Sequence, residues 1–295
     1  MEFLFVLVPV FGIFAIGYIG QKTLGFDIQT LSKMSLYLMS PFLAFDTFYT
    51  NKLTMDYVYL SIFVLGLCLI LVLFVYFLSF YHKYPNQDRC AMILSSAFMN
   101  NGNYGTPVVL LVFGTAGLDT AVVLMVLQQL IMSTIGMYYA AKGGSEVGGF
   151  KMVMARVIRM PVAYGALLGA ILQLMRISIP VGNAAIPTIM IILGMQLALI
   201  SFKHIEYRKI SYSLLLKLMV SPVIALGFTF ILPMDDMTKQ IMILVAAMPT
   251  AANTTLMAVQ FNTRPEIVSS ATFISTMLSI VTLPVLLWML HPLSS

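Results

Sequence analysis

Between Ile62 and Leu78 the chain reads IFVLGLCLILVLFVYFL, a run with no charged side chain and no polar stripe. A segment that is apolar on every side has nothing to offer water. About 20 such residues, rising about 1.5 Å each as a helix, cross the ~30 Å hydrocarbon core of a bilayer. In lipid the backbone must satisfy its own hydrogen bonds, so only helices and closed barrels span. Barrel strands alternate apolar with polar positions, and this run does not. The chain is therefore expected to be an all-α membrane protein. Composition agrees: 60% of the residues are hydrophobic and 9% charged, against about 25% charged in soluble domains.

Charges and turn residues divide the chain into ten expected transmembrane helices. Their cores are Phe3 to Ile19, Leu31 to Thr50, Tyr57 to Phe80, Cys90 to Phe113, Ala116 to Tyr139, Met160 to Met175, Ile179 to Ile200, Ser211 to Leu232, Thr238 to Phe261 and Pro265 to Leu290. Cytoplasmic loops carry the excess of lysine and arginine. Twelve of the sixteen basic residues, from Lys22 to Arg264, adjoin odd-numbered connections, and only Lys52, Arg176 and Lys239 adjoin even ones. The count thus predicts a multi-pass protein of the cell membrane with both termini outside. The N-terminal MEFLFVLVPVF lacks a signal peptide's basic start and reads as the first span. The basic residues form no patch with interleaved aromatics, so nucleic acid is not an expected partner. The lipid bilayer is.

One stretch breaks the apolar pattern. FMNNGNYGTPVV, Phe98 to Val109, puts three asparagines, two glycines and a proline inside the fourth helix. The ninth helix carries an interruption of its own, MPTAANTT, Met248 to Thr255. Ahead of the two breaks Met92-Ile93-Leu94 matches Met242-Ile243-Leu244, and the Gly-rich AAKGGSEVGGFK divides the chain between them. The expected organisation is a first repeat over 1–140, a cytoplasmic linker over 141–151 and a second repeat over 152–295. Five helices per repeat is an odd number, so the copies are inverted. Interrupted helices at matching places in inverted repeats mark a secondary transporter's binding site. Irregular backbone is tolerated at that depth only within protein or along a watered cavity. Asn100, Asn101, Asn103, Thr250, Asn253 and Thr254 are the candidate substrate ligands. Gly102, Gly105, Pro107 and Pro249 are the expected helix breakers, the glycines by permitting turns closed to bulkier residues. Half-helix N-termini, each worth about half a positive charge, favour an anion. The other reading of both segments is kinked helices whose polar groups bind neighbouring helices.

The pair NNGNYGTP, Asn100 to Pro107, and MPTAANTTLMAVQFNTRPEIVSSATF, Met248 to Phe273, with SIVTLP, Ser279 to Pro284, resembles the auxin efflux carrier family and its bacterial relatives, such as the malonate permeases. The likeness extends to SPFLAF in the second helix and ILGMQLA in the seventh. It implies a fold similar to that of bile-acid symporters and sodium/proton antiporters, with scaffold helices one, two, six and seven beside a mobile, elevator-like unit of helices three to five and eight to ten. Broken fourth and ninth helices would cross in that unit, at Asn100 and Pro249. It also implies a homodimer through the scaffold. Plant members tend to have proline where Met99 stands, which leaves auxin unsupported as substrate, and the short linker suits a compact microbial transporter.

Four further polar residues have two readings each. Asp46 is a proton-coupling carboxylate or an interfacial residue near Lys52. Gln128, Gln129 and Gln196 reach the site or bond helix to helix. Lys217 is expected to snorkel outward in a structural role. The two cysteines and three histidines have no metal spacing, and the spans hold no enzyme motif. The sequence thus predicts a non-enzymatic carrier of small organic anions, needing no cofactor and driven by membrane potential, sodium or protons. A sodium-coupled symporter and a non-transporting sensor of the same fold are the alternatives.

Overall fold

The computed structural model describes residues 2–25, 38, 40–50, 54–144, 161–175 and 206–290, and these are almost wholly helical. The first half contains α1 (Glu2–Leu24), α2 (Ser40–Thr50), α3 (Asp56–His82), α4 (Asn86–Ser96), α5 (Thr106–Ile131) and α6 (Met137–Gly143). The second contains α7 (Pro161–Leu174), α8 (Tyr207–Leu215), α9 (Ser221–Ile231), α10 (Asp236–Ala246), α11 (Ala252–Phe261) and α12 (Pro265–Leu290). The expected seventh helix, Gln196 and most of the 141–151 linker lie outside the described residues.

Four described segments are long and apolar enough to cross a membrane: Asp56–His82, Asn101–Gly143, Tyr207–Ile231 and Pro265–Leu290. The second has 43 residues, and as a straight helix it would extend about 65 Å, twice the lipid thickness. It does not run straight. Gly114 takes φ 70°, ψ −163° inside α5, a conformation essentially reserved for glycine. The side-chain amide of Asn86 donates to the Lys142 carbonyl at 2.7 Å, so the start of α4 and the end of α6 lie side by side. The chain doubles back at Gly114, and the two limbs are the expected fourth and fifth helices.

An ion-pair cluster ties several helix starts to one face. Asp88 at the start of α4 pairs with Lys209 of α8 and, at 2.9 Å, with Arg264 just before α12. Glu206 contacts both cations, and Arg264 Nε also meets Glu266 at 2.5 Å. The starts of α4, α8 and α12 therefore share a face, as the alternation of loops requires for even-numbered spans.

Elsewhere small residues set the distance between helices. Gly165 and Gly169, four apart on α7, face α2 so closely that a Cβ would stand 2.3 Å from the Pro41 carbonyl oxygen and 2.4 Å from that of Phe45. This is the close backbone approach that small residues permit between helices in lipid. The main core joins Phe63, Leu67 and Leu71 of α3 to Met92 and Leu94 of α4 and Met242 and Leu244 of α10, all fully buried. It encloses the two interruptions.

Candidate functional site: an amide-lined cavity between two broken helices

α4 stops at Ser96, and helix resumes as a π-helical turn, Asn101–Gly105, leading into α5. α10 stops at Ala246, and α11 begins at Ala252. The two non-helical stretches pair with each other. The Asn100 amide donates to the Pro249 carbonyl at 2.9 Å, the Ala251 amide donates to the Phe98 carbonyl at 3.1 Å, and Met99 lies opposite Thr250 in an antiparallel bridge. Each break thus supplies hydrogen bonds that lipid could not.

Beside this bridge lies a cavity of about 30 Å³, lined by Met99, Asn100, Asn101, Gly102, Asn103, Met125, Gln128, Gln129, Met132, Ala251 and Asn253. Six of these residues carry amides, and none carries a charge. Asn100, Asn101 and Gln128 are 5%, 2% and 2% exposed. Even so, Asn100 Nδ2, both polar atoms of Asn101 and Gln128, and Asn253 Oδ1 have no hydrogen-bond partner. A buried polar group left unpaired costs about 1–3 kcal/mol, so these atoms together call for a partner from outside the chain, water or solute. Amides can donate through nitrogen and accept through oxygen. The first turn of α11 reaches the cavity at Ala251 and Asn253, and the helical turn before α5 reaches it at Asn101 to Asn103, so two positive helix ends border it.

Of the expected ligands, Asn100, Asn101, Asn103 and Asn253 are brought together here. Thr250 and Thr254 are not. The Thr250 hydroxyl donates to the Ser95 carbonyl at 2.6 Å and its amide donates to the Ser275 hydroxyl at 3.1 Å, while the Thr254 hydroxyl donates to the Ala251 carbonyl at 2.7 Å. Both side chains are spent on holding the break. Thr255, at the end of the same polar stretch, meets Thr272 of α12 at 3.1 Å.

The breakers work differently from expectation. Gly105 has φ −63°, and the positive-φ glycines among the described residues are Gly25 and Gly114. Gly102 and Gly105 therefore supply no left-handed turn. Nor does close packing demand them: a Cβ would stand 3.4 Å from Met248 on Gly105 and 3.5 Å from Met125 on Gly102, ordinary contact distances. Pro107 follows directly on the π-helical turn Asn101–Gly105, in the first α-helical turn of α5, so helix runs through it rather than breaking there. The interruption itself falls at Ala97 to Asn100, ahead of all three. Pro249 does sit within a break, its carbonyl accepting from Asn100.

Gln128 and Gln129 both line the cavity. Their signal in the sequence is an adjacent pair of amides in an otherwise apolar helix. Met99, Met125 and Met132 complete the wall, and nothing in the sequence separates them from the other methionines. Asp46, partly buried on α2, is not among the lining residues. Lys217 does not snorkel: it is fully buried, with Nζ 3.5 Å from the Ala246 carbonyl. Among the described residues no group of His, Cys, Asp and Glu could hold a metal.

Comparison with known proteins matches this chain to membrane transporters. A family model described as membrane transport protein covers residues 3–287. An uncharacterized transporter of Methanothermobacter thermautotrophicus is 27% identical over 287 residues, 92% of this chain and 90% of that protein. Another, from Methanocaldococcus jannaschii, is 22% identical over 278 residues, 89% of each chain. Paired interruptions in a helical, lipid-compatible chain thus coincide with a match over nearly its whole length, and the chain belongs to the membrane transport protein family, that of the auxin efflux carriers.

Proposed function

We propose that the protein is a secondary transporter of small organic anions, carboxylates above all, working across the cell membrane by alternating access, with the amide-lined cavity as its binding site. The observation that carries this reading is the set of buried, unpartnered amide atoms on Asn100, Asn101, Gln128 and Asn253 between two half-helix N-termini. Amide N–H groups and helix ends bind a carboxylate without a fixed countercharge. A cavity of about 30 Å³ accommodates a water or two rather than a carboxylic acid, which supports an occluded state. Substrate would enter only when helices separate.

In this reading the two interruptions are the crossing point of an inverted repeat. Its support is positional: α4 (Asn86–Ser96) and α10 (Asp236–Ala246) are each 11 residues and begin 150 positions apart. The same offset carries Met99 onto Pro249 and Asn100 onto Thr250, so the bridge is paired about its own centre. Repeats over 1–140 and 152–295 would then enter the membrane from opposite sides, with both termini outside. α2 and α7 would belong to a scaffold, also the surface for a homodimer, against which the unit holding the cavity moves.

The test is counterflow of labelled dicarboxylates and aromatic carboxylates in proteoliposomes. Asn101→Ala and Gln128→Ala should each lower uptake at least tenfold, as loss of about 1.4 kcal/mol of substrate binding does, while the purified variants keep wild-type melting. Unchanged uptake in both would remove the cavity as the binding site. Ligand-dependent stabilisation without counterflow of any member of the panel would make the protein a sensor instead.

A further inference from the structure

Lys217 lies in a π-helical turn, Leu216–Val220, between α8 and α9, inside the apolar segment Tyr207–Ile231. Its side chain has no exposure. Nζ approaches the Ala246 carbonyl at 3.5 Å, and the Ser221 hydroxyl donates to the same oxygen at 2.8 Å. Ala246 is the last residue of α10. Its carbonyl is therefore one of those that a helix end leaves unbonded, and that end carries about half a negative charge. Among the described residues no carboxylate pairs with Lys217.

The matching end of α4 is served by neutral groups. Thr250 donates to the Ser95 carbonyl, and the Ser95 and Ser213 hydroxyls bond at 2.8 Å. The last carbonyl of α10 thus faces an amine, whereas at the end of α4 the Ser95 carbonyl accepts from a hydroxyl. An ammonium deep in lipid is expensive unless something compensates it, and in a span it is a functional group by default. Here the compensation is the negative pole of a broken helix. Oxygens converging in this way, a helix-end carbonyl with a serine hydroxyl, are also what a hard cation from solution would seek. The lysine already stands there, presented by a π turn of the kind frequent at functional sites.

We propose that the Lys217 ammonium is a built-in cation of the transport unit, holding the freed end of α10 in the place that a sodium ion would otherwise fill, so that the protein binds no sodium there. The role in transport rests on the reading above, whereas its test uses no substrate. Thermal unfolding of the purified wild type is followed as choline chloride is exchanged for sodium chloride at constant ionic strength. The melting temperature should stay constant, and Lys217→Met, of similar length without the charge, should melt about 5 °C lower. A lysine with no compensating role would give the opposite sign, because replacing a buried charge by an apolar side chain is often neutral or stabilising. Saturable stabilisation of the wild type by sodium overturns the proposal, as does a Lys217→Met protein that melts at or above wild type. Should that variant fail to fold, the sodium exchange on the wild type decides alone. Absence of anion counterflow would defeat the transporter reading and leave this result standing.

Discussion

The amide of Asn100 and the carbonyl of Pro249, 149 positions apart in sequence, are joined by a 2.9 Å hydrogen bond where two helices are interrupted. In the bridge beside it Met99 faces Thr250. The bonds run from Asn100 to Pro249 and from Ala251 to Phe98, which makes Met99 and Thr250 the pair whose own amides turn away from each other. Thr250 uses its amide on Ser275. Proline should therefore be accepted at position 99 and rejected at position 100. Met99→Pro is expected to purify folded with near-wild-type melting. Asn100→Pro removes the donor to Pro249 and should cost about 1–3 kcal/mol, read as a clear drop in melting temperature.

Gly114 provides a second test. Its φ of 70° with ψ −163° reverses α5, and no atom lies within 4 Å of where a Cβ would stand. Any loss on Gly114→Ala is thus backbone strain and not collision, expected at about 1–3 kcal/mol. If the variant melts like wild type, the reversal does not depend on glycine at this position.

Collision is isolated at the α2–α7 contact. Gly165→Ala and Gly169→Ala each drive a methyl into a backbone carbonyl at under 2.5 Å, so the helices must part, at about 1–3 kcal/mol each. Gly227→Ala, on α9 with open space around it, is the control. It should be neutral or slightly stabilising, because alanine favours helix over glycine. Equal melting of all three variants would mean that α2 and α7 do not pack this closely.

A pH dependence is expected at the start of α10. Asp235 caps the helix, its Oδ1 accepting from the Thr238 amide at 2.9 Å. Burial pushes the carboxyl pKa up, but hydrogen bonds from Thr238 and nearby backbone outweigh it and hold the group below its ordinary 3.8. A depressed acid contributes stability above its unfolded pKa and loses it as pH falls through the folded value. Asp235→Ala should therefore melt below wild type at neutral pH, by about 1 kcal/mol. The gap should close as pH falls below 3.8. A gap independent of pH would assign the loss to something other than the charged cap.

Much of this site can be read from residue types. Asn100, Asn101, Asn103 and Asn253 stand out because polar amides in an apolar span are costly unless something meets them, and four of the expected ligands do line the cavity. Thr250 and Thr254 looked equivalent to them. What separates them is the direction of a hydroxyl, and that depends on a carbonyl of Ser95, 155 positions away. The role of Gly114 was hidden because a glycine between two apolar runs reads as an ordinary loop. Gly102 and Gly105, beside the asparagines, attracted a role that their backbone does not take up.

What the sequence alone determined is the local chemistry: apolar runs that must be helical in lipid, and the places where that pattern fails, since the cost of exposing backbone or burying an amide accrues residue by residue. What only the tertiary structure decided is how each freed group finds its partner. Which break pairs with which, whether a hydroxyl serves backbone or cavity, and that the Lys217 amine reaches Ala246 rather than water all depend on groups far apart in the chain. Helix propensity and hydrophobic period carry no information about those meetings.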